Sequence, residues 1–228
     1  PAARTGAEIF DMVKDLKVIF GKGPGGQSVP RGVDGHAPMW KKKSIFWDLP
    51  YWKDLEVRSS IDVMHVTKNL CVNLLGFLGV YGKTKDTAEA REDLQRLHEK
   101  DGIPPKQYEG PASYALTKEE KEIFFECLLS MKVPTGFSSN IKGIINMAEK
   151  KFQNLKSHDC HVIMTQLLPV ALRGLLPENV RLAIVKLCAF LNAISQKVID
   201  PEIVPWLRSD VVQCLVSFEL VFPPSFFN

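Results

Sequence analysis

The sequence predicts a mainly α-helical protein with a helical body and one minor β element near residues 54–62. Three observations carry that expectation. Thr117-Lys118-Glu119-Glu120 has the residues of a capping box, in which the threonine hydroxyl accepts the Glu120 amide and the Glu120 carboxylate reaches back. Leu176-Pro177-Glu178 and Asp200-Pro201-Glu202 each put a proline and an acid at a helix start, where both suit the free amides and the dipole. From residue 62 onward, apolar side chains recur at three- and four-residue spacing.

Taken in order, residues 6–20 place Ile9, Met12, Val13 and Leu16 at helical spacing, so residues 1–20 read as a short N-terminal helix. Residues 21–38 hold six glycines and three prolines with almost no bulky apolar residue, and read as a flexible linker. A phosphate-cradling loop would have to open a helix, and none is expected there. Residues 39–62 are dense in aromatics (Trp40, Phe46, Trp47, Tyr51, Trp52) beside Lys41, Lys42 and Lys43. Such a stretch either stacks on bases while its lysines meet phosphates, or anchors the segment onto a core.

Leu55, Val57 and Ile61 alternate as in a strand, then Val66, Leu70, Leu74 and Leu75 mark a strongly apolar helix ending near Gly76 and Gly79. A charged helix over 86–99 carries a thin stripe of Ala90, Leu94 and Leu97, and prolines and glycines make 102–113 a loop. The helix after Thr117 should bury Ile123, Phe124, Cys127, Leu128 and Met131. Ser157 should cap a helix that bends at Pro169. The next helix buries Val180, Ile184, Leu187, Cys188 and Leu191, and the last carries Val211, Val212, Leu215, Phe218 and Leu220 before FPPSFFN stops it. Residues 113–228 thus read as an all-helical domain of about five helices.

The 228 residues are 45% hydrophobic and 24% charged, an ordinary globular composition, and the net charge of +3 does not by itself imply a polyanion partner. No apolar run approaches the roughly 18 residues needed to span a bilayer, so no membrane partner is expected. The chain does not begin with Met and has no apolar signal core, so it reads as a segment of something longer. Five cysteines occur singly, mostly in apolar helical contexts, which argues for a reducing intracellular compartment.

Two clusters hold chemistry-bearing residues. Asp62 and His65 stand three apart where the β-like run gives way to a helix. Asp62 is either a metal-ligating carboxylate at a strand end or the N-cap of that helix with His65 in its first turn. His158, Cys160 and His161 are all metal-ligand types, but only the two histidines share a helix face and no second ligand pair exists. No zinc is therefore expected. Ser195 and Ser225 lie in no glycine elbow. Lys142, Lys150, Lys151 and Lys156 flank Phe152 and form either a polyanion-facing strip or a solvated face.

The stretches KDLKVIFGKG, APMWKKKSIFWDLPYWKDLEVRSSIDVMHVTKN, YALTKEEKEIFFECLLSMKVPTGFSSNI and KSHDCHVIMTQLLPVALRGLLPENVR resemble the transposase of plant CACTA (En/Spm-type) DNA transposons. The likeness extends through KVIDPE to FPPSFFN and covers nearly the whole chain. It implies part of an RNase H-like, acid-triad nuclease with a helical insertion, whose Asp-x-x-His-bearing segment would span 39–112 and run into a following helical domain of 113–228. In the complete protein that enzyme cuts and rejoins DNA with Mg2+. The resemblance makes Asp62 a catalytic metal ligand and His65 an auxiliary group near the metals or the scissile phosphate. It implies DNA (the transposon ends) as partner and a nuclear location. Lys41, Lys42, Lys43, Lys142, Lys150, Lys151 and Lys156 are the candidate contacts that the residues themselves offer, and self-association is a further expected partnership. The family's first acid and its cysteine pair lie upstream of these residues. Its last acid is expected beyond Asn228, with Glu219 the one helical acid near the end. The chain alone is then expected to be inactive. The alternative is a non-catalytic helical module that docks on DNA or protein.

Overall fold

The computed structural model describes residues 4–16, 43–55, 58, 62–100, 112–132 and 140–227. The linker expected over 21–38, with Trp40, Lys41 and Lys42, lies outside the described residues. The chain divides into two compact units, Pro1–Ile61 and Asp62–Asn228.

In the first unit a capping box opens helix α1 (Gly6–Val13): the Thr5 amide donates to Glu8 at 2.6 Å and the Glu8 amide to Thr5 Oγ1 at 3.2 Å. Two 3₁₀ turns, Ile45–Asp48 and Trp52–Asp54, pack against one another and the second meets α1. Gly6 permits that approach, since a Cβ there would stand 1.9 Å from Lys53 O. The aromatic residues do the joining. Phe46 stacks on Trp52 at 4.7 Å, Phe10 meets Trp47 at 6.1 Å, and Lys53 Nζ lies 5.8 Å from the Phe10 ring centre. The β element expected near 54–62 is not seen at its described positions. Asp54 closes a 3₁₀ turn, Leu55 follows it, and Arg58 turns back to donate to Leu55 O at 2.6 Å. Residues 56, 57 and 59–61 lie outside the described residues.

The second unit opens with α2 (Val63–Phe77), which buries Thr67, Cys71, Leu74, Leu75 and Phe77. Its end is fixed at Gly79, with φ +75: the Val80 amide donates to Leu75 O at 2.9 Å and the Gly79 amide to Gly76 O at 3.2 Å. That pair of bonds closes the last carbonyls, and the flanking Val80 and Leu75 are both fully buried. Helix α3 (Ala88–Lys100) turns Ala90 and Leu94 of its predicted stripe inward, while Leu97, the third, is only half-buried. Helix α4 (Lys118–Ser130) starts at the predicted capping box, with bonds of 2.9 and 3.1 Å. Its buried face is Phe124, Phe125 and Leu128, whereas Ile123 is exposed and Cys127 half-buried. The face is therefore rotated from the predicted one, because Phe125 packs edge-on to Phe152 at 5.1 Å and takes the inward position.

Phe152 belongs to a feature absent from the sequence reading of 113–228 as wholly helical. Strands β1 (Ile145–Asn146) and β2 (Lys151–Phe152) pair antiparallel, with Ile145 opposite Phe152. Asn146 Oδ1 accepts the amides of Ala148 (3.0 Å) and Glu149 (3.2 Å), which shapes the turn. The Phe152 amide donates to Val80 O at 2.8 Å, so the hairpin is tied to the segment after α2.

Helix α5 (Ser157–Val162) begins one residue earlier than a Ser157 cap would place it, with the Lys156 amide donating to Asp159 at 2.9 Å. The bend expected at Pro169 takes the form of a π-helical turn, Ile163–Leu167, running into α6 (Leu168–Ala171). Pro169 has no amide to give to Thr165 O. Asn192 Nδ2, from helix α7 (Glu178–Ile194), supplies that bond at 3.1 Å. All five core residues predicted for α7 are buried.

Helix α8 (Val204–Glu219) packs on α7 by a narrow stripe, burying Cys214 and Phe218. Of the other apolar residues that the sequence places along this helix, Val212, Leu215 and Leu220 are exposed and Val211 is half-buried. The FPPSFF segment does more than stop the helix. Its 3₁₀ turn Pro224–Phe227 brings Phe226 against Phe77 (5.6 Å) and Phe218 (5.1 Å), while Phe222 stacks on Tyr114 (5.4 Å). Asn73 Nδ2 holds the turn by donating to Phe226 O at 2.6 Å. Among the described residues no helix is long and apolar enough to cross a membrane.

Candidate metal-ligand and DNA-facing residues

Asp62 precedes α2 in extended conformation (φ −72, ψ 96), and its Oδ1 accepts the His65 amide at 3.0 Å. It is therefore the N-cap of a 15-residue helix, and its charge faces the positive end of the helix dipole. Both Asp62 and His65 are exposed. The backbone amide of His65, rather than its ring, is what joins the two residues. Magnesium requires a near-octahedral set of oxygens and usually one or two carboxylates beside water and substrate oxygens. Among the described residues no group of three or more His, Cys, Asp or Glu side chains is gathered to hold a metal ion. The described residues do not on their own make the two-metal site that the family resemblance implies.

His158, Cys160 and His161 do not converge. Cys160 is buried, and the free Cys71 thiol donates a hydrogen bond to it across the α2–α5 contact; that hydrogen bond and burial push the Cys71 thiol well up. His161 is half-buried with Nδ1 unpartnered among the described residues, and His158 is exposed. Cys188 and Cys214 are buried as well, and burial pushes the Cys188 thiol up to about 12. Cys71, Cys188 and Cys214, whose thiols are pushed up, behave as small apolar side chains, whereas the hydrogen bond from Cys71 pushes the Cys160 thiol down.

The lysines separate into distinct places. Lys43 is paired with Asp48 at 2.9 Å. Lys142 sits in the 3₁₀ turn Ile141–Ile144, whose start is capped by Asn140 Oδ1, and Lys156 stands exposed before α5. Lys150 and Lys151 lie at the hairpin. Lys150 Nζ reaches Glu122 (2.8 Å) and Lys118 O (3.2 Å) on α4, and Lys151 Nζ donates to Gly82 O at 2.7 Å. Phe152 between these lysines is a core residue, so the aromatic in this strip meets Phe124 and Phe125 edge-to-face and is closed to a base.

The side chain that sequence reasoning passed over is Lys121. It follows the capping box on α4, and its ammonium meets the turn at 79–82. No local pattern marks it; only the fold brings a helix, a hairpin and a turn together there. Comparison with known proteins adds nothing further: no family model, no curated protein and no solved structure matches the chain.

Proposed function

We propose that the chain is part of a CACTA-type transposase, a DNA-contacting helical body that carries one acid of a divided nuclease site. The observation that carries this reading is the long likeness through residues 37–69, with Asp62-Val63-Met64-His65 in the family's Asp-x-x-His position. In the complete protein Mg2+ would supply Lewis-acid activation of water and of the leaving oxygen. Asp62 would offer it one carboxylate, and His65 would stand beside the scissile phosphate. The remaining carboxylates would come from outside these 228 residues. The lysines contribute a sequence-independent attraction for the phosphate backbone.

The bonding of Asp62 favours one second reading. Its Oδ1 is spent on the His65 amide, as in an ordinary helix cap. On that view the chain is a non-catalytic module that docks on DNA or protein.

A nicking assay on supercoiled DNA with Mg2+ or Mn2+ tests the reading, using wild type and Asp62→Asn. Asparagine caps a helix about as well as aspartate but carries no charge for a metal. The 228 residues are expected not to cut in either form. Metal-dependent nicking by wild type that Asp62→Asn abolishes would show that the other acids are already in this chain. Fused back into a cutting-competent transposase, Asp62→Asn should abolish cleavage; retained cleavage there favours the docking reading.

A further inference from the structure

Lys121 on α4, Lys150 in the hairpin turn and Lys151 on β2 bring three ammonium groups to one patch. Lys151 Nζ is bonded to Gly82 O at 2.7 Å, and a Cβ added at Gly79 would meet Lys121 Nζ at 2.8 Å. Both charges thus lie over the turn at 79–82. Lys150 Nζ is held against α4 by Lys118 O and by Glu122, which takes it on the flank. No ion pair among the described residues holds Lys121 or Lys151.

Two features make this more than a scatter of surface charge. All three side chains are half-buried rather than splayed into water. Lys150 also adopts φ +51, a left-handed conformation in which a side chain crowds its own carbonyl and glycine is the usual choice. The strain is kept at the residue whose ammonium reaches back onto α4. Burial, followed by the charges of Lys151 and Lys150, pushes the Lys121 pKa down.

We infer that Lys121, Lys150 and Lys151 form one phosphate-binding patch for the backbone of duplex DNA, with Lys121 its central cation. This rests on the DNA-contacting reading above and names the surface that performs it. A phosphodiester set against Lys121 and Lys151 relieves their mutual repulsion and releases the counterions of the duplex.

The test is fluorescence anisotropy of a labelled mixed-sequence duplex with the full 228-residue chain across a salt series. Wild type is compared with Lys121→Gln, Lys121→Arg and Lys150→Gly. Lys121→Gln should weaken binding several-fold and lower the slope of log affinity against log salt by about one. Lys121→Arg, which keeps the charge, should retain the wild-type slope. Lys150→Gly should lose affinity with a thermal midpoint at or above wild type, because glycine suits the backbone there; this separates lost contact from lost fold. Unchanged affinity and slope in both Lys121→Gln and Lys150→Gly overturn this inference while leaving DNA binding itself standing. A wild-type chain that does not bind duplex overturns both.

Discussion

Asp62 caps α2 through its bond from the His65 amide. As N-cap it satisfies an amide that α2 cannot satisfy itself, and truncation to alanine should cost about 1 kcal/mol of stability. Asp62→Asn should stay within a few tenths of that of wild type by the same measure, chemical denaturation followed by circular dichroism. Equal losses for the two substitutions would show that the charge, and not the cap, sustains the fold. Asp86 makes a different residue-scale case. Burial raises its pKa, but the paired bond from Arg91, the Ala112 amide (3.4 Å), the Arg91 charge and the Tyr114 hydroxyl (3.3 Å) outweigh it and hold the carboxyl below its ordinary value. The folded state therefore binds fewer protons here than the unfolded one. The associated stability is present above the ordinary aspartate range and is lost as pH falls through the lowered folded value. Asp86→Asn should flatten that acid limb in thermal melts taken from neutral pH downward; an unchanged limb would place the acid sensitivity elsewhere.

At the scale of elements, the local signals in the sequence were reliable where the chemistry is local. The Thr117–Glu120 box, the proline-acid start of α7 and its buried face all stand as read, because each is decided within two turns of chain. The hairpin at 145–152 escaped because its strands are two residues each, too short for an alternation to register, and its stability comes from Val80 and two phenylalanines far away in sequence. Residues 163–167 escaped for a related reason. A proline announces a broken helix, but which carbonyl is rescued depends on Asn192, 27 positions from Thr165. Replacing Asn192 with leucine leaves the Thr165 carbonyl unsatisfied in a half-buried place and should cost about 1–3 kcal/mol. Circular dichroism of urea unfolding would measure it, and a cost below about 0.5 kcal/mol would mean that the π turn needs no such brace.

At the scale of the whole molecule, helical character was legible and the arrangement of the candidate site was not. Asp62 and His65 could be found by likeness alone, since three-residue spacing serves a cap as well as a metal. Lys150 and Lys151 were visible as a charge pair, whereas Lys121 joins them only after α4, the hairpin and the turn at 79–82 have packed. The aromatic C-terminus was read as a terminator, although Phe222 and Phe226 close the core against Phe77 and Tyr114. That misreading has a physical source: prolines at 223 and 224 signal the end of a helix but say nothing of where the next ring is placed.

At the centre of the proposed function is contact between this chain and the phosphates of DNA. The most direct measurement is the equilibrium affinity of the wild-type 228 residues for a plain duplex between roughly 50 and 200 mM salt. With Lys121 and Lys151, which no ion pair holds among the described residues, each neutralising a phosphate, log affinity should fall linearly with log salt at a slope of about −2 or steeper. Failure to bind at the lowest salt, or an affinity that does not change across the series, would contradict the account.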